Sequence, residues 1–498
     1  MIMIHTIRIL PGEQHITVQT GSNLLETLRS EHLMTDAPCG GYGTCGKCRV
    51  IVNGKQQLAC QYTVNCDIDV FIPKSGKKDI DTKRTEVQIC CDHNRLAFDV
   101  GTTTVVCYLL DEETGQELAY SSMLNPQTSY GADVISRAQA AAKGNLDQLT
   151  QEICHAMSQL IYEVCDLVNA DLEYIRTVAV VGNPAMQQLF LGIPTDNLIT
   201  VPFTPVLKQA EIIPAVPYLP LCENAKLLVV PDISGYVGAD TIAAVLATGI
   251  HRASQPTLLV DIGTNGEMVL TDGRQMVCCS TAAGPALEGA KIRHGMRGTA
   301  GAIDHVWNEN GVLNCSVIGE ETAVGICGSG IIDAVAAALD LGHLNSRGRI
   351  QTKDEADGQR YIPLRDGVYL TQQDIREVQL TKGAIAAGIA CLAAELGIAL
   401  DQIGEVILAG AFGSFLNPES ACRIGLLPPV LQGKIRSVGN AAGEGAKLLA
   451  MEPSLLLEAQ YLAENIRFIE LANIPGFQRT FAKNMLFIGR DHYGITEN

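Results

Sequence analysis

The sequence predicts a multidomain α/β protein, with a small α+β module at the N-terminus followed by a duplicated, two-lobed α/β unit. Three observations predict it. At 498 residues the chain is too long for a single hydrophobic core. Residues 1–75 alternate short strand-like runs with turn signals, whereas residues 96–498 alternate apolar strands with Ala-rich helical stretches. Two segments of the longer part, LAFDVGTTTVVCYLLDEETG and LLVDIGTNGEMVLTDG, also repeat one pattern: apolar run, Asp, Gly-Thr, second apolar run, acidic turn. The expected units are 1–75, a charged linker over 76–95, and lobes over 96–254 and 255–498.

In chain order, MIHTIRIL and HITVQT flank Pro11-Gly12 and read as a hairpin. GSNLLETLRSEHL has leucines at helical spacing, and Asn23 and Glu26 stand like a capping-box variant. CRVIVNGKQQLAC reads as a second hairpin across Asn53-Gly54. After KSGKKDIDTKR, a linker poor in large apolar residues, the α/β pattern begins. AVVGNPAMQQLFLGI opens a helix after a strand at Gly182-Asn183. GICGSGIIDAVAAAL reads as a Gly-rich turn opening a helix, with Asp333 in its first turn. GAIAAGIACLAAELGIAL (383–400) is the one candidate membrane span, but Glu395 and its many small residues predict a packed core helix.

With 36 basic against 54 acidic residues the formal charge is −18, which argues against nucleic acid or an anionic membrane as partner. Seventeen cysteines would suggest disulfides in a small secreted protein. Here the count is odd, MIMIHTIRIL lacks the features of a secretory signal, and many cysteines sit in apolar runs such as VVCYLL. Buried free thiols in a reducing cytoplasm are the expectation. The pairs Cys90-Cys91 and Cys278-Cys279 and the lone Trp307 are expected to serve packing.

Two motifs carry chemistry. In APCGGYGTCGKCRV, five residues separate Cys39 from Cys45 and two separate Cys45 from Cys48, with Cys60 eleven residues further on. Glycines let backbone wrap closely around a cluster, and four thiolates are the ligand set of a 2Fe-2S centre. A zinc ribbon would show two C-x-x-C pairs, and Cys45 and Cys48 make only one. Cys66 competes as fourth ligand, but DIDV after it reads as a strand leaving the site, which favours Cys60. The spacing resembles that of 2Fe-2S ferredoxins of the plant type, with the longer first gap of the vertebrate type.

The second motif is the repeated turn. Asp99, Gly101, Thr102, Thr103 and Thr104 lie between two apolar strands, as do Asp261, Gly263, Thr264, Asn265, Gly266 and Glu267. Such strand-turn-strand units present backbone amides and hydroxyls to a phosphate chain, and their aspartates suit a hydrated Mg²⁺. Asp99 and Asp261 are expected to orient Mg²⁺ and the attacking water, and Thr102, Thr103, Thr264 and Asn265 to bind phosphate. Glu267 either polarises that water or is a surface charge on a strand. Gly410, Ala411, Phe412 and Gly413, ending VILAGAFG, would let adenosine lie against bare backbone, and Gly328, Ser329 and Gly330 form a connecting turn expected to bind the nucleotide as well. No P-loop is present.

Together the two D-x-G-T turns, the G-A-F-G turn and the G-x-G-x-x-D connector resemble the acetate/sugar kinase, heat-shock chaperone and actin superfamily, over about 400 residues. With a 2Fe-2S ferredoxin (β-grasp) domain in front of an actin-like ATPase, the whole chain resembles the reductive activators of corrinoid-dependent methyltransferases. NPQTSYGADVISR (125–137), DISGYVGADTIAAVL (232–246) and GPALEGAKIRHGM (284–296) belong to the same resemblance. It implies a 2Fe-2S cluster, ATP and Mg²⁺ as cofactors. It also implies ATP-dependent one-electron reduction of a Co(II) corrinoid protein to Co(I), a low-potential electron donor, and an assembly compatible with a homodimer. Larger members carry an extra segment between the two parts, where this chain has only a short linker, so contacts made by that segment do not carry over. The residues alone also admit a redox-regulated small-molecule kinase or a nucleotide-switched binding protein. Arg293 and His294 read equally as cleft-mouth residues or an ordinary polar loop.

Overall fold

The computed structural model describes residues 4–10, 14–31, 33, 48–53, 55–71, 93–352, 355–356, 359–410 and 415–488. The N-terminal module is a five-stranded sheet of β1 (Ile4–Leu10), β2 (Gln14–Gln19), β3 (Arg49–Val52), β4 (Lys55–Leu58) and β5 (Ile68–Phe71) in the order β2-β1-β5-β3-β4. The β1–β5 pair is parallel and the others are antiparallel, which gives the mixed β-grasp sheet. Helix α1 (Leu24–Ser30) lies on it, burying Leu24, Leu25 and Leu28 against Ile7, Val50 and Val70. Asn23 caps α1 by accepting the N–H groups of Leu25 and Glu26 at 3.0 and 3.3 Å. Asn53 takes φ +49° in the β3–β4 hairpin, as a two-residue turn requires. The linker expected over 76–95 lies largely outside the described residues.

The first lobe carries β6 (Asn94–Val100), β7 (Thr104–Asp111), β8 (Glu117–Leu124), β9 (Ile175–Gly182), β10 (Glu211–Pro214) and β11 (Lys226–Val229), ordered β8-β7-β6-β9-β11-β10. Its helices include α2 (Val134–Ala140), α3 (Leu146–Val168), α4 (Pro184–Phe190) and α5 (Ala239–Thr248). The second lobe carries β12 (Thr257–Ile262), β13 (Gly266–Thr271), β14 (Met276–Thr281), β15 (Glu405–Ala409), β16 (Ile435–Gly439) and β17 (Ile466–Phe468), ordered β16-β15-β12-β13-β14-β17. In both lobes the first three strands form an antiparallel meander, and the first strand pairs in parallel with the fourth. The repeat read in the sequence is therefore a repeat of topology.

Strand alternation assigns each residue to one of two faces. Leu96, Phe98 and Val100 enter the first lobe's own core, and Leu258, Val260 and Ile262 enter the second's. Ala97 and Leu259 turn the other way, into a third core between the sheets that also holds α5 and α8 (Ala441–Met451). That core is the seam between lobes. The helices cross so closely that a Cβ on Gly445 would stand 2.0 Å from the Ala243 carbonyl oxygen. The long apolar helix Gln372–Glu395 has most of its apolar window buried inside the protein, as expected of a core helix. Gly445→Val is expected to lower the free energy of urea unfolding by about 2–3 kcal/mol, since backbone meets backbone there and neither can rotate away.

Candidate functional site

The two phosphate turns are built alike. The Gly101 N–H donates to the Thr104 carbonyl at 3.0 Å, and the Gly263 N–H to that of Asn265 at 2.9 Å. A Cβ on Gly101 would come within 2.8 Å of that Thr104 oxygen, so the tight turn needs glycine. The second turn is one residue shorter: Val100 pairs with Val105, but Ile262 pairs with Gly266. The turns meet across the seam, where the Thr103 and Thr264 hydroxyls stand 3.2 Å apart. Both donate to Glu288, at 2.6 and 2.9 Å. The Thr102 hydroxyl accepts from the Asn183 side chain at 3.0 Å, and its carbonyl accepts from buried Arg137. Thr104 is exposed at the start of β7, and Gly266 packs against Thr281 and Ile385.

Asp99, Asp261 and Glu267 share the inter-lobe face with Ala97, Leu259 and Val269, because each lies an even number of residues away along its strand. Asp261 and Glu267 are direct cross-strand partners, so Glu267 belongs to the cleft and is not a surface charge. Asp240, in the first turn of α5, completes the cluster. Burial raises Asp99 to about 6, helped by Asp240 and opposed by the 2.8 Å hydrogen bond from Asn440. Burial, then the charges of Asp240 and Asp99, raises Asp261 to about 7. Glu267 goes up for the same reason, with Asp240 and Asp261 adding to it. Burial lifts Asp240 to about 6, opposed by hydrogen bonds from Thr241.

Carboxylates pressed upward in this way are what a divalent cation would relieve. Among the described residues no three acidic, His or Cys side chains are grouped to hold a metal by themselves. Mg²⁺ fits nonetheless, because it takes one or two carboxylates and completes its shell with water and phosphate oxygens.

Gly410 stands over the same carboxylates. Its φ is +91°, its N–H donates to the Gly439 carbonyl at 2.9 Å, and a Cβ there would lie 2.7 Å from Asp261 Oδ1. Only glycine meets both conditions. Ala411, Phe412 and Gly413 lie outside the described residues. In the N-terminal module Cys48 and Cys60 are buried in one small core, and the Ala59 N–H donates to the Cys48 carbonyl at 2.8 Å. The Asn23 amide donates to the Cys60 carbonyl at 2.9 Å, while Cys66 is exposed. Cys39 and Cys45 lie outside the described residues. The two described cysteines suit an iron–sulfur centre, being buried in one small core and tied through the backbone of Ala59.

Family models match the chain in three stretches: a 2Fe-2S iron-sulfur cluster binding domain over 7–65, the RACo middle region over 95–253, and the C-terminal ASKHA domain of RACo over 255–495. The corrinoid activation enzyme RamQ of Eubacterium limosum is 32% identical, the match covering 95% of this chain and 98% of that protein. The chain belongs to the RACo family. A Methanosarcina barkeri protein described as a [Co(II) methylated amine-specific corrinoid protein] reductase is 29% identical over 74% of this chain and 72% of its own length. A solved reductive activator for the corrinoid, iron-sulfur protein superposes with TM-score 0.73 at 25% identity, covering 98% of this chain and 99% of the other.

Several expectations change within the RACo fold. The helix expected to carry Asp333 in its first turn begins at Gly328, which puts Asp333 in the second, buried and paired with His305. At the start of that helix the Ser329 hydroxyl donates to the Asp304 carbonyl at 2.8 Å, and a Cβ on Gly330 would lie 2.4 Å from the Ile303 oxygen. Trp307 is not a core residue. It is 37% exposed and stacked on His305, because its hairpin covers only one face. Arg293 and His294 pack on Tyr369, the Arg293 N–H donating to Asp374 at 2.8 Å, so they form a fastened polar loop. Cys278 and Cys279 are buried in core, as expected. Asp240, Glu288, Asn440 and Arg137 were not singled out by sequence reasoning. Asp240, Glu288 and Arg137 lie in stretches that carried the family resemblance without a role. Asn440 had only the signal of an Asn before an Ala-rich helix, which it caps.

The carboxyl shifts fix a sign. Asp99, Asp240 and Asp261 hold protons in the folded state that the unfolded chain releases, so nucleotide-free stability falls as pH rises from about 4 to 7. Asp261→Asn is expected to flatten that slope and to gain at least about 1 kcal/mol at pH 8 in urea unfolding, while abolishing ATP turnover.

Proposed function

We propose that this RACo-family chain is an ATP-hydrolysing reductive activator, passing single electrons from a 2Fe-2S cluster to a Co(II) corrinoid protein to give Co(I). The observation that carries it is the meeting of two phosphate turns at one acidic seam, in a chain whose other module buries Cys48 and Cys60 together. When bound, the cluster supplies one electron at a potential near about −400 mV, and Mg²⁺ neutralises phosphate charge. Cys39, Cys45, Cys48 and Cys60 would hold the cluster. Burial beside Ala59, whose N–H donates to the Cys48 carbonyl, favours Cys60 over exposed Cys66.

In the cleft, Asp99 and Asp261 would hold the Mg²⁺ water shell, with Asn440 orienting Asp99. Glu267, opposite Asp261, is placed to orient water. The hydroxyls of Thr102, Thr103 and Thr264, the Asn265 side chain and the amides of the two turns would bind phosphate, and bare backbone at Gly410 would accept the nucleoside. Because each ~59 mV of one-electron shortfall costs about 1.4 kcal/mol, nucleotide must act by changing how the lobes hold the corrinoid protein's two oxidation states. The reading puts the protein in a reducing cytoplasm with a low-potential donor. The charge of −18 argues against nucleic acid or an anionic membrane as partner.

Two measurements test it. Anaerobic, pre-reduced protein mixed with a Co(II) corrinoid protein should generate the Co(I) absorbance only with Mg-ATP, and equal growth of that band without nucleotide would refute the coupling. Cys60→Ser should remove or strongly alter the 2Fe-2S absorbance and electron paramagnetic resonance signal. Cys66→Ser should leave both unchanged, and the reverse pattern would exchange the two assignments.

A further inference from the structure

Among the described residues Glu288 is the one acidic side chain that hydrogen-bonds both phosphate turns. It ends the 3-10 turn Pro285–Glu288, whose flanking Gly284 and Gly289 sit at φ +80° and +81°, backbone that other residues rarely adopt. The Gly284 N–H donates to the Thr264 carbonyl at 2.9 Å, and Ala286 and Leu287 are buried in the second lobe's core, so the turn is fixed and only the Glu288 side chain reaches into the cleft. The nearby cation is buried Arg137, lowered to about 9 by burial and supported by the charges of Asp133 and Glu288. Arg137 in turn holds the carbonyl of Thr102 in the first phosphate turn.

Proton accounting decides what this arrangement can do. A threonine hydroxyl has one proton to donate. Thr103 and Thr264 both spend theirs on the two oxygens of Glu288. A phosphate group seated on the same pair needs those same protons and carries the same sign of charge. The carboxylate and the phosphate therefore exclude one another.

We propose that Glu288 occupies the place of ATP's terminal phosphate in the nucleotide-free protein and is displaced by it, which makes Glu288 a specificity residue for ATP over ADP. The proposal rests on reading the cleft as the ATP site. When ATP enters, the two hydroxyls pass from carboxylate to phosphate and the Glu288 side chain rotates away from them. When the terminal phosphate has been cleaved and lost, Glu288 returns and the bridge between the lobes is restored. ADP, lacking that phosphate, does not compete for the hydroxyl pair.

An internal competitor lowers apparent affinity by the fraction of time it occupies the site. Removing it should strengthen binding of the triphosphate selectively. Calorimetry on the full chain with a non-hydrolysable ATP analogue and with ADP, both with Mg²⁺, reads this directly. Glu288→Ala should bind the analogue at least about tenfold more tightly than wild type, with ADP changed by less than about threefold. The isosteric Glu288→Gln should fall between, and thermal melts confirm that both variants fold. Unchanged or weaker analogue binding would overturn the proposal, as would equal tightening of ADP, the mark of a general loss of negative charge. A collapse of kcat at unchanged analogue affinity would overturn it too, making Glu288 an acceptor of the attacking water's proton. Wild-type protein that binds neither nucleotide would remove the ATP reading itself, and the proposal with it.

Discussion

The close approach of α5 at Ala243 to α8 at Gly445, which leaves no room for a Cβ, sets the distance between the lobes, and the site depends on that distance. With the helices any farther apart, the sheets could not both reach a shared core, and Thr103 and Thr264 could not stand within hydrogen-bond range. Both helices also begin in the site. Asp240 lies in the first turn of α5, and Asn440 caps α8 while donating to Asp99. A helix N-terminus carries partial positive charge, so two of them aimed at a group of carboxylates offset some of the repulsion that burial would otherwise leave unanswered. The seam between the lobes and the acidic group are thus one arrangement.

That arrangement trades stability for readiness. Burial holds Asp99, Asp240 and Asp261 near the point of protonation, and neighbouring carboxylates add to it for Asp99 and Asp261, so the cleft is under electrostatic tension at neutral pH. A packed seam of small and branched aliphatic residues surrounds them and bears the cost. A divalent cation entering the cleft with the phosphate chain would relieve this tension, which would let nucleotide binding and lobe geometry draw on the same free energy.

How much of this could be read beforehand depended on range along the chain. The D-x-G-T turns were legible because strand, aspartate and turn are contiguous. Period-two alternation even carries the information that Asp99, Asp261 and Glu267 share one face, since Ala97, Leu259 and Val269 mark it. The cysteine module was legible for the same reason, spacing being a local property. Glu288 and Asn440 were not, because their roles exist only where segments far apart in sequence meet: Glu288 contacts Thr103, and Asn440 contacts Asp99, across the seam. Trp307 misled because an indole is usually buried, whereas its hairpin covers one face only. Asp333 was set one turn early because a Gly-rich start reads as loop, yet those glycines are helical and serve close packing.

The joining of a cysteine module to this ATPase follows from what each lacks. A cluster near about −400 mV can deliver an electron but cannot by itself make an unfavourable acceptor accept it. A two-lobed ATPase has no redox chemistry, but it has two states whose balance a phosphate group can tip. Tipping is useful only if the states differ in their hold on the corrinoid protein before and after reduction, because a ligand shifts an equilibrium by no more than its differential affinity. The seam would supply the bistable part: the threonine hydroxyls of both turns bond Glu288, Asp99 bonds the Asn440 cap of α8, and Asp240 stands in the first turn of α5. What happens to a phosphate there is felt first by α5 and α8, and through their crossing by the relative set of the lobes. A surface shaped by both lobes would then change with the nucleotide, while the cluster module needs only to deliver its electron in the state so selected.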